Sequence, residues 1–160
     1  MRVRPFIDTD LPTLVLLFTE TVHRINARDN DPAQIAVWAP REHDWEKWQK
    51  RFAGLRTLVL ELDGPIAGFA SYDERGYVDF LYVHHEFQGR GVATALMDEV
   101  ESQMRGLGLP RAFADVSLTA RTFFAGRGYE DLRQQWFEKS GVTLTNFAME
   151  KMLSRAAIRS

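Results

Sequence analysis

The sequence predicts a single α/β domain in which helices alternate with strands and antiparallel hairpins lie at both ends. Three observations support this prediction. Apolar residues recur at helical spacing near the N-terminus and again after residue 91. Apolar runs flank the turn signals Asp63-Gly64 and Ser140-Gly141, as they do in β-hairpins. The length of 160 residues suits one domain with a sizeable core.

The first third of the chain predicts an edge strand followed by three helices. Residues 2–7 predict a short edge strand, because the proline there has no N–H to donate within a central strand. The first helix is predicted from an apolar stripe at helical spacing, formed by Leu11, Leu14, Val15, Phe18, Val22 and Ile25. Two shorter helices are expected at Pro32–Trp38 and at residues 45–53.

The rest of the chain predicts three strands, a helix, a strand, a helix and a final hairpin. The strands are expected at residues 57–62, 65–72, 77–83, 111–116, 134–139 and 142–149. The two helices are expected at residues 92–106 and 119–127, each ending near a glycine. We therefore expect one domain over residues 1–152 and a loosely held tail over residues 153–160.

A glycine-containing turn between residues 81 and 97 is the most informative local pattern. An apolar strand leads into a polar loop with Gly89 and Gly91, and a helix follows. The first N–H groups of a helix have no intrahelical partner, and glycine lets an anion approach the backbone, so this corner suits phosphate. The turn lacks the Gly-Lys-Ser/Thr of a P-loop and the third glycine of a dinucleotide-binding turn. An ordinary strand-to-helix connection is the structural alternative.

Two motifs resemble the GCN5-related N-acetyltransferase (GNAT) family. Gln88-x-x-Gly91-x-Ala93 resembles the family's Q/R-x-x-G-x-G/A pyrophosphate loop, and residues 120–129 resemble its A-x-x-F-Y-x-x-x-G-F segment. Further stretches are similar to the YafP-like branch of bacterial acetyltransferases, namely residues 35–39, 117–120 and 145–149. The resemblance implies a mixed, mostly antiparallel central sheet flanked by helices. In that fold, strands four and five run parallel and splay apart, which leaves a gap for the pantetheine arm.

The resemblance also implies that acetyl-CoA is the acetyl donor and that no metal takes part. The backbone of Leu81 and Val83 would hold the pantetheine arm, and amides from Gly89 to Thr94 would hold the pyrophosphate. The expected cofactor-binding residues are Leu81, Tyr82, Val83, Gln88, Gly89, Arg90, Gly91, Val92, Ala93, Thr94, Ser117, Phe123, Phe124 and Arg127. A solvated loop arginine is the alternative interpretation of Arg90.

The chemistry requires an acceptor amine that loses a proton before it attacks the thioester. Asp79 is the first candidate for the base, because it interrupts an apolar strand, and Asp115 is the second. An ion pair with a nearby arginine is the alternative interpretation of Asp79. The family's usual tyrosine, which protonates the leaving thiolate, falls at Phe124. The remaining hydroxyl candidates are Tyr77, Tyr82 and Tyr129, and Tyr82 completes the expected catalytic set.

We therefore expect an N-acetyltransferase that transfers an acetyl group to the primary amine of a small molecule or peptide by direct attack. The alternative is a non-catalytic acyl-CoA-binding sensor or interaction module, which the missing tyrosine favours. The choice of acceptor cannot be read from the motifs, because its pocket depends on tertiary structure.

Composition excludes several other functional classes. The chain has no cysteine, so it has neither a disulfide framework nor a cysteine nucleophile. A net charge of −2 gives no general attraction to nucleic acid, and no apolar run is long enough to cross a membrane. The four histidines lack ligand-spaced partners, so no metal site is expected. A cytoplasmic location follows, and a homodimer through the last hairpin, common in the fold, stays open.

Overall fold

The computed structural model describes residues 1–153, which form seven β-strands and five α-helices. The strands are β1 (Arg2–Pro5), β2 (Arg56–Glu61), β3 (Ile66–Tyr72), β4 (Val78–Val83), β5 (Arg111–Val116), β6 (Glu130–Lys139) and β7 (Val142–Met152). The helices are α1 (Leu11–Arg24), α2 (Pro32–Trp38), α3 (Trp45–Ala53), α4 (Val92–Gly106) and α5 (Leu118–Gly126). Apart from Leu153, the predicted tail lies outside the described residues. Within residues 1–153, none of the helices combines the length and hydropathy needed to span a bilayer.

Two antiparallel sheets lie side by side and meet at one point. The first sheet has the strand order β1-β2-β3-β4, and the second has the order β5-β7-β6. Within residues 1–153, a single parallel bridge joins Tyr77, just before β4, to Phe113 of β5. Beyond this bridge, β4 and β5 line a cavity instead of pairing with each other. The predicted mixed sheet with flanking helices is confirmed, and it is interrupted between β4 and β5.

Helices cover both faces of the first sheet. Successive side chains of a strand point to opposite faces, so each strand can pack against helices on both sides. On one face, Phe18 of α1 and Phe52 of α3 pack against Phe80 of β4 with ring centroids 5.9 and 5.3 Å apart. On the other face, α4 contributes a second apolar cluster, formed by Val92, Leu96, Met97, Val100 and Met104. The sheet therefore lies between two apolar cores, and β4 contributes side chains to both.

Gly76 determines where the two sheets meet. Its φ of +96° lies in the left-handed region, and a Cβ on this residue would overlap the carbonyl oxygen of Arg111. The Phe113 N–H donates to the carbonyl of Gly76 at 3.0 Å, directly beside the parallel bridge. Only a glycine allows the main chains to approach this closely, so the closed end of the gap depends on Gly76.

A buried carboxylate ties α4 to the second sheet. The side chain of Glu101 is 2% exposed and accepts hydrogen bonds from Tyr129 at 2.8 Å, Lys151 at 2.7 Å and Arg127 at 3.2 Å. Burial alone raises the pKa of Glu101, but the hydrogen bonds from these three residues outweigh it and hold that pKa below its ordinary value. Glu101 is therefore ionised in the folded protein.

The predicted order of elements is confirmed along the described chain, and α2 has the predicted bounds. The largest difference lies in the last hairpin, where β6 begins at Glu130 and β7 continues to Met152. Three of the first four residues of β6 are charged and all four are exposed, and a register shift between Asp131 and Arg133 interrupts their alternation. Pairing with the main chain of β7 extends the strand there, and that pairing leaves no periodic signal in the sequence.

We expect Gly76→Ala to lower the free energy of unfolding by about 2–4 kcal/mol, because it adds overlap with Arg111 to the strain of a positive φ. Gly106→Ala is the matched control, since a Cβ at the C-terminal end of α4 meets no atom within 4 Å and the φ there is not positive. Urea unfolding of both variants measures the difference. Equal stability of the two variants would show that the sheets can meet without this close approach.

We expect Glu101→Gln to lower the free energy of unfolding by about 2–4 kcal/mol at pH 7, because the partly buried cations Arg127 and Lys151 lose their shared buried anion. The pKa of Glu101 is lower in the folded state than its ordinary value of 4.5. The stabilisation by Glu101 is therefore complete above pH 4.5 and is lost as the pH falls through the lower folded pKa. Urea unfolding from pH 7 to pH 3 should show the wild-type and variant curves converging, whereas Glu138→Gln, at an exposed position of β6, should follow the wild type. If the difference in stability between the wild type and Glu101→Gln does not change with pH, the assignment is wrong.

Candidate active site

A cavity of about 730 Å³ opens between β4 and β5. The turn before α4, the helix α5, the C-terminal part of α1, Trp38 of α2, Arg51 of α3 and the last hairpin complete its walls. Most of the site residues predicted from the sequence line it: Asp79, Leu81, Tyr82, Val83, Gln88, Gly89, Gly91, Val92, Ala93, Thr94, Asp115, Ser117, Phe123 and Phe124. Residues far apart in the sequence thus meet where the two sheets separate.

The main chain of β4 turns hydrogen-bonding groups towards this gap. The N–H of His84 donates to Ala67 of the neighbouring strand segment at 2.8 Å, which makes these two residues a hydrogen-bonded pair. In an antiparallel ladder, hydrogen-bonded pairs alternate with non-hydrogen-bonded pairs. The N–H and C=O of Tyr82, two residues before His84, therefore also point towards β3. The same groups of Leu81 and Val83 therefore point away from β3, towards the gap.

Two side chains fix the last carbonyl of β4. Thr21 of α1, which is buried, donates its hydroxyl to the carbonyl of Val83 at 3.0 Å. Gln88 donates its side-chain amide to the same oxygen at 2.8 Å. Gln88, expected to frame the turn, thus does so by binding back to β4. Thr21 was not predicted as a site residue, although a polar residue on the buried side of an apolar helix is the signal that could have identified it.

The turn before α4 has the backbone geometry of an anion site. Gly89 and Gly91 have φ angles of +72° and +79°, which side chains with a Cβ rarely adopt. Gly91 is the N-cap of α4 and offers no side-chain cap to the first turn. The N–H groups of Val92, Ala93 and Thr94 have no intrahelical acceptors and stand at the positive end of the helix dipole. A phosphate at this position would receive hydrogen bonds from the main chain.

Asp79 occupies an irregular position on β4. Tyr72 pairs with Val78 and Ser71 pairs with Phe80, so Asp79 is the extra residue of a β-bulge. Its carboxylate accepts from the guanidinium of Arg51 at 2.8 and 3.3 Å, and it is 17% exposed. The alternative interpretation from the sequence, an arginine partner, is therefore present, and the pair still lines the cavity.

Asp115 stands across the gap from Asp79. Each of them follows the bridge that joins Tyr77 and Phe113 by two residues in the sequence, and both line the cavity. Asp115 accepts hydrogen bonds from the hydroxyl of Tyr77 at 3.0 Å and from the amide of Gln135 at 2.8 Å. Unlike Asp79, it takes part in none of the ion pairs formed within residues 1–153. Two carboxylates with different partners thus face the closed end of the gap.

Tyr77, Tyr82 and Ser117 line the cavity and carry hydroxyl groups, which Phe124 lacks. Burial raises the pKa of Tyr82, so its hydroxyl stays protonated at neutral pH. Burial and the charge of Asp115 raise the pKa of Tyr77 in the same way. Ser117 caps α5, with its Oγ accepting from the N–H of Ala120 at 3.2 Å, so this hydrogen bond holds its hydroxyl at the start of the helix. Phe124 itself is buried against Tyr129.

Two arginines that were expected to bind the cofactor, Arg90 and Arg127, do not line the cavity within residues 1–153. Arg90 is exposed, and its guanidinium stands 5.7 Å from the ring centroid of Phe87. Arg127 does not line the cavity in the described part of the chain, because Glu101 and Asp98 bind its guanidinium at 3.1 and 3.0 Å. Arg127 directly follows α5, as the motif indicates. Its guanidinium is held away from the gap by the buried carboxylate of Glu101 on α4.

The two histidines before the turn lie close to each other and to Glu86. Ligand atoms of His84, His85 and Glu86 lie within 4.8 Å of one another. The two imidazole rings stack with centroids 4.3 Å apart and planes 22° apart, and His84 Nδ1 accepts from the N–H of Glu86. Stacked rings do not aim their in-plane lone pairs at a common point, so this group lacks the convergent geometry of a tetrahedral site.

Comparisons with known proteins agree with this geometry. Residues 26–151 match the family model described as an acetyltransferase (GNAT) domain. The chain is 30% identical over 152 residues to the uncharacterised N-acetyltransferase YafP of Escherichia coli (strain K12), covering 93% of this chain and 94% of that protein. A crystal structure of a GCN5-related N-acetyltransferase from Rhodopseudomonas palustris is 32% identical, covers 95% of both chains and superposes with a TM-score of 0.91.

More distant structures share the fold. YncA from Salmonella typhimurium, solved with its cofactor acetyl-CoA, covers 98% of its own chain and 100% of this one at 21% identity and a TM-score of 0.72. PaiA from Thermoplasma acidophilum, solved with coenzyme A, is 19% identical, covers 98% of its own chain and 94% of this one, and has a TM-score of 0.76. The family model, the E. coli relative and the fold together show that this chain belongs to the GCN5-related N-acetyltransferase family.

Proposed function

We propose that this protein transfers an acetyl group from acetyl-CoA to a primary amine of a small molecule or peptide by direct attack. The observation that supports the proposal most strongly is the arrangement of the gap between β4 and β5. Its open end has the glycine turn and the N-terminus of α4, its side is the unpaired edge of β4, and its closed end has two carboxylates. An elongated acyl-CoA has an anion at one end, amides along its length and a thioester at the other.

The residues present fit acetyl-CoA part by part. The N–H groups of Val92, Ala93 and Thr94 suit a pyrophosphate. The N–H and C=O of Leu81 can pair with the amides of a pantetheine arm as a further strand would. Because the turn follows the C-terminal end of β4 and the bridge precedes its N-terminal end, the thioester would lie near Asp79 and Asp115. The acetyl-CoA and coenzyme A complexes of YncA and PaiA support the same assignment.

Acetyl-CoA supplies a thioester carbonyl, and the acceptor nitrogen forms its C–N bond there as the C–S bond breaks and CoA leaves as a thiolate. The acceptor ammonium must lose a proton before this attack, and the thiolate must gain one. We assign proton removal to Asp115, because its two hydrogen-bond donors are neutral and it retains lone pairs for a third donor. Tyr82, which burial keeps protonated, is the candidate donor to the thiolate.

Asp79 has a different part in this proposal. Both of its oxygens accept from Arg51, so its negative charge is already balanced by a guanidinium. Asp79 holds Arg51 at the closed end of the gap, where the acceptor must enter. This departs from the expectation that Asp79 is the first candidate for the base, and it gives the two carboxylates separate tasks.

A non-catalytic acyl-CoA sensor is the second candidate, and one observation favours it. Phe124 has no hydroxyl and is buried, so the family's usual proton donor is missing. A sensor would bind acetyl-CoA at the same turn and would release no CoA in the presence of amines. Turnover therefore separates the two candidates, whereas binding alone does not.

The location and partners follow from the proposed reaction. An acetyl-CoA-dependent enzyme of this composition would work in the cytoplasm, with a small amine as its partner and no nucleic acid. A homodimer would use the last hairpin, where Leu132, Trp136 and Phe137 are 48%, 64% and 44% exposed.

We expect purified protein to bind acetyl-CoA and Gly91→Trp to weaken that binding by about tenfold or more, because an indole at the N-cap blocks the anion site. Gly108→Trp is the matched control, since Gly108 also has a positive φ, meets no atom within 4 Å of an added Cβ, and follows the opposite end of α4. Isothermal titration calorimetry measures both affinities. No acetyl-CoA binding by the wild-type protein, or equal loss in the two variants, contradicts the proposed site.

We expect Asp115→Asn to reduce kcat by about 10²–10⁴-fold, because the amide cannot accept the amine proton. Affinity for acetyl-CoA should stay within about twofold, since Asp115 lies at the opposite end of the gap. The assay follows release of the CoA thiol with a panel of primary amines, and Asp131→Asn, at an exposed carboxylate on β6, is the matched control. If Asp79→Asn abolishes turnover while Asp115→Asn does not, the base is Asp79 and our assignment is wrong.

A further inference from the structure

Arg51 presents unused hydrogen-bond donors to the cavity. Its Nε and Nη2 bind Asp79, and the guanidinium carbon lies 4.3 Å from the ring centroid of Phe80. The side chain is 50% exposed and lines the cavity. A guanidinium has five N–H donors, so those not bound to Asp79 remain for a ligand. Asp79 and Phe80 hold the planar group in one orientation, which is the arrangement that suits recognition of a carboxylate.

A side-chain amide in the same cavity is available to a ligand. Asn26, just after α1, is 5% exposed as a residue and lines the cavity. Its main-chain carbonyl accepts from Asn30 and Asp29, whereas its side-chain amide makes no hydrogen bond within residues 1–153 and is reached from the cavity. The amide of Asn26 can therefore bind water or a polar atom of a ligand there.

The charges around the cavity are arranged asymmetrically. Asp79 is balanced by Arg51, whereas the partners of Asp115 are the neutral groups of Tyr77 and Gln135. One wall thus offers a positioned guanidinium, and another offers a carboxylate that forms no ion pair within residues 1–153, while Lys139 of β6 adds a second cation to the lining. A ligand with an anionic group and an ammonium group matches both walls.

Hydrogen bonds across one side of the cavity favour a small ligand. The segment between α1 and α2 is tied to α5 where Thr119 donates to Asp29 at 2.8 Å. Gln34 of α2 donates to the carbonyl of Thr143 on β7 at 3.1 Å. Residues 25–38 therefore cross from the helical face of the first sheet to the second sheet and close this side of the cavity. A polypeptide acceptor would have to break these contacts, whereas a free amino acid would not.

We propose that the acceptor is a small zwitterionic amine, an α-amino acid or a close analogue, whose carboxylate binds Arg51 and whose ammonium group faces Asp115. This inference rests on the proposed acetyltransferase function and specifies its substrate class. The side-chain amide of Asn26 completes the site by binding a polar atom of the same ligand. Arg51 is thus a specificity-determining residue, and Asp79 positions it.

The test compares amino acids with amines that lack only the carboxylate. The pairs are L-phenylalanine with phenethylamine, L-leucine with 3-methylbutylamine and L-lysine with cadaverine, and L-phenylalaninamide tests a neutral group of similar size. Release of the CoA thiol gives kcat/KM for each compound. We expect at least one amino acid to exceed its amine by about tenfold to a hundredfold, the range expected for a hydrogen bond to a charged group.

Arg51→Gln should reduce that ratio to near one, whereas Arg41→Gln, at an exposed arginine paired with Glu20 outside the cavity, should leave it unchanged. The ratio is the informative quantity, because a merely structural role of Arg51 would lower both rates equally. Amines acetylated as fast as amino acids, or a ratio that survives Arg51→Gln, overturn the inference and leave the proposed function intact. If no compound is acetylated although calorimetry shows acetyl-CoA binding, the inference is wrong and the sensor function is favoured. If acetyl-CoA does not bind, the proposed function itself is wrong.

Discussion

The close contact between the two sheets at Gly76 is the constraint on which the rest of the candidate site depends. Gly76 approaches the carbonyl of Arg111 so closely that a Cβ cannot be accommodated, and Phe113 closes the contact with one hydrogen bond. A single bridge fixes the separation of β4 and β5 at one end and leaves it free to grow at the other. A continuous ladder would instead consume the main-chain groups of both strands. The cavity exists because pairing stops after one bridge.

An unpaired strand edge inside a protein is unfavourable, since buried N–H and C=O groups need partners. Thr21 and Gln88 remove part of this penalty by donating to the carbonyl of Val83, and they fix the end of β4 in the process. The main-chain N–H and C=O of Leu81 remain available to bind water or a ligand. Because this half of the site consists of backbone, it depends little on side-chain identity. Phe124, at the position where the family motif suggests a tyrosine, therefore leaves the anion site unaltered.

The sequence predicted those features that depend on neighbouring residues, and it missed those that depend on distant ones. The bounds of α2 and the glycine turn at Gly91 follow from local spacing and backbone conformation, so they were predictable. The bulge at Asp79 depends on register with β3, and its partner Arg51 lies 28 residues away. Arg127 was expected near the cofactor, but a carboxylate on α4 binds it instead. Long-range pairing of charges leaves no periodic pattern that a single sequence would show.

The different partners of the two carboxylates bear on how an acceptor can be oriented before any bond forms. A guanidinium 2.8 Å from Asp79 reduces the attraction of that carboxylate for an incoming ammonium group. Asp115 has only neutral donors, so more of its field acts on a cation in the cavity. In the proposed reaction an acceptor amine would therefore be drawn towards Asp115, which is the orientation that a direct transfer would require.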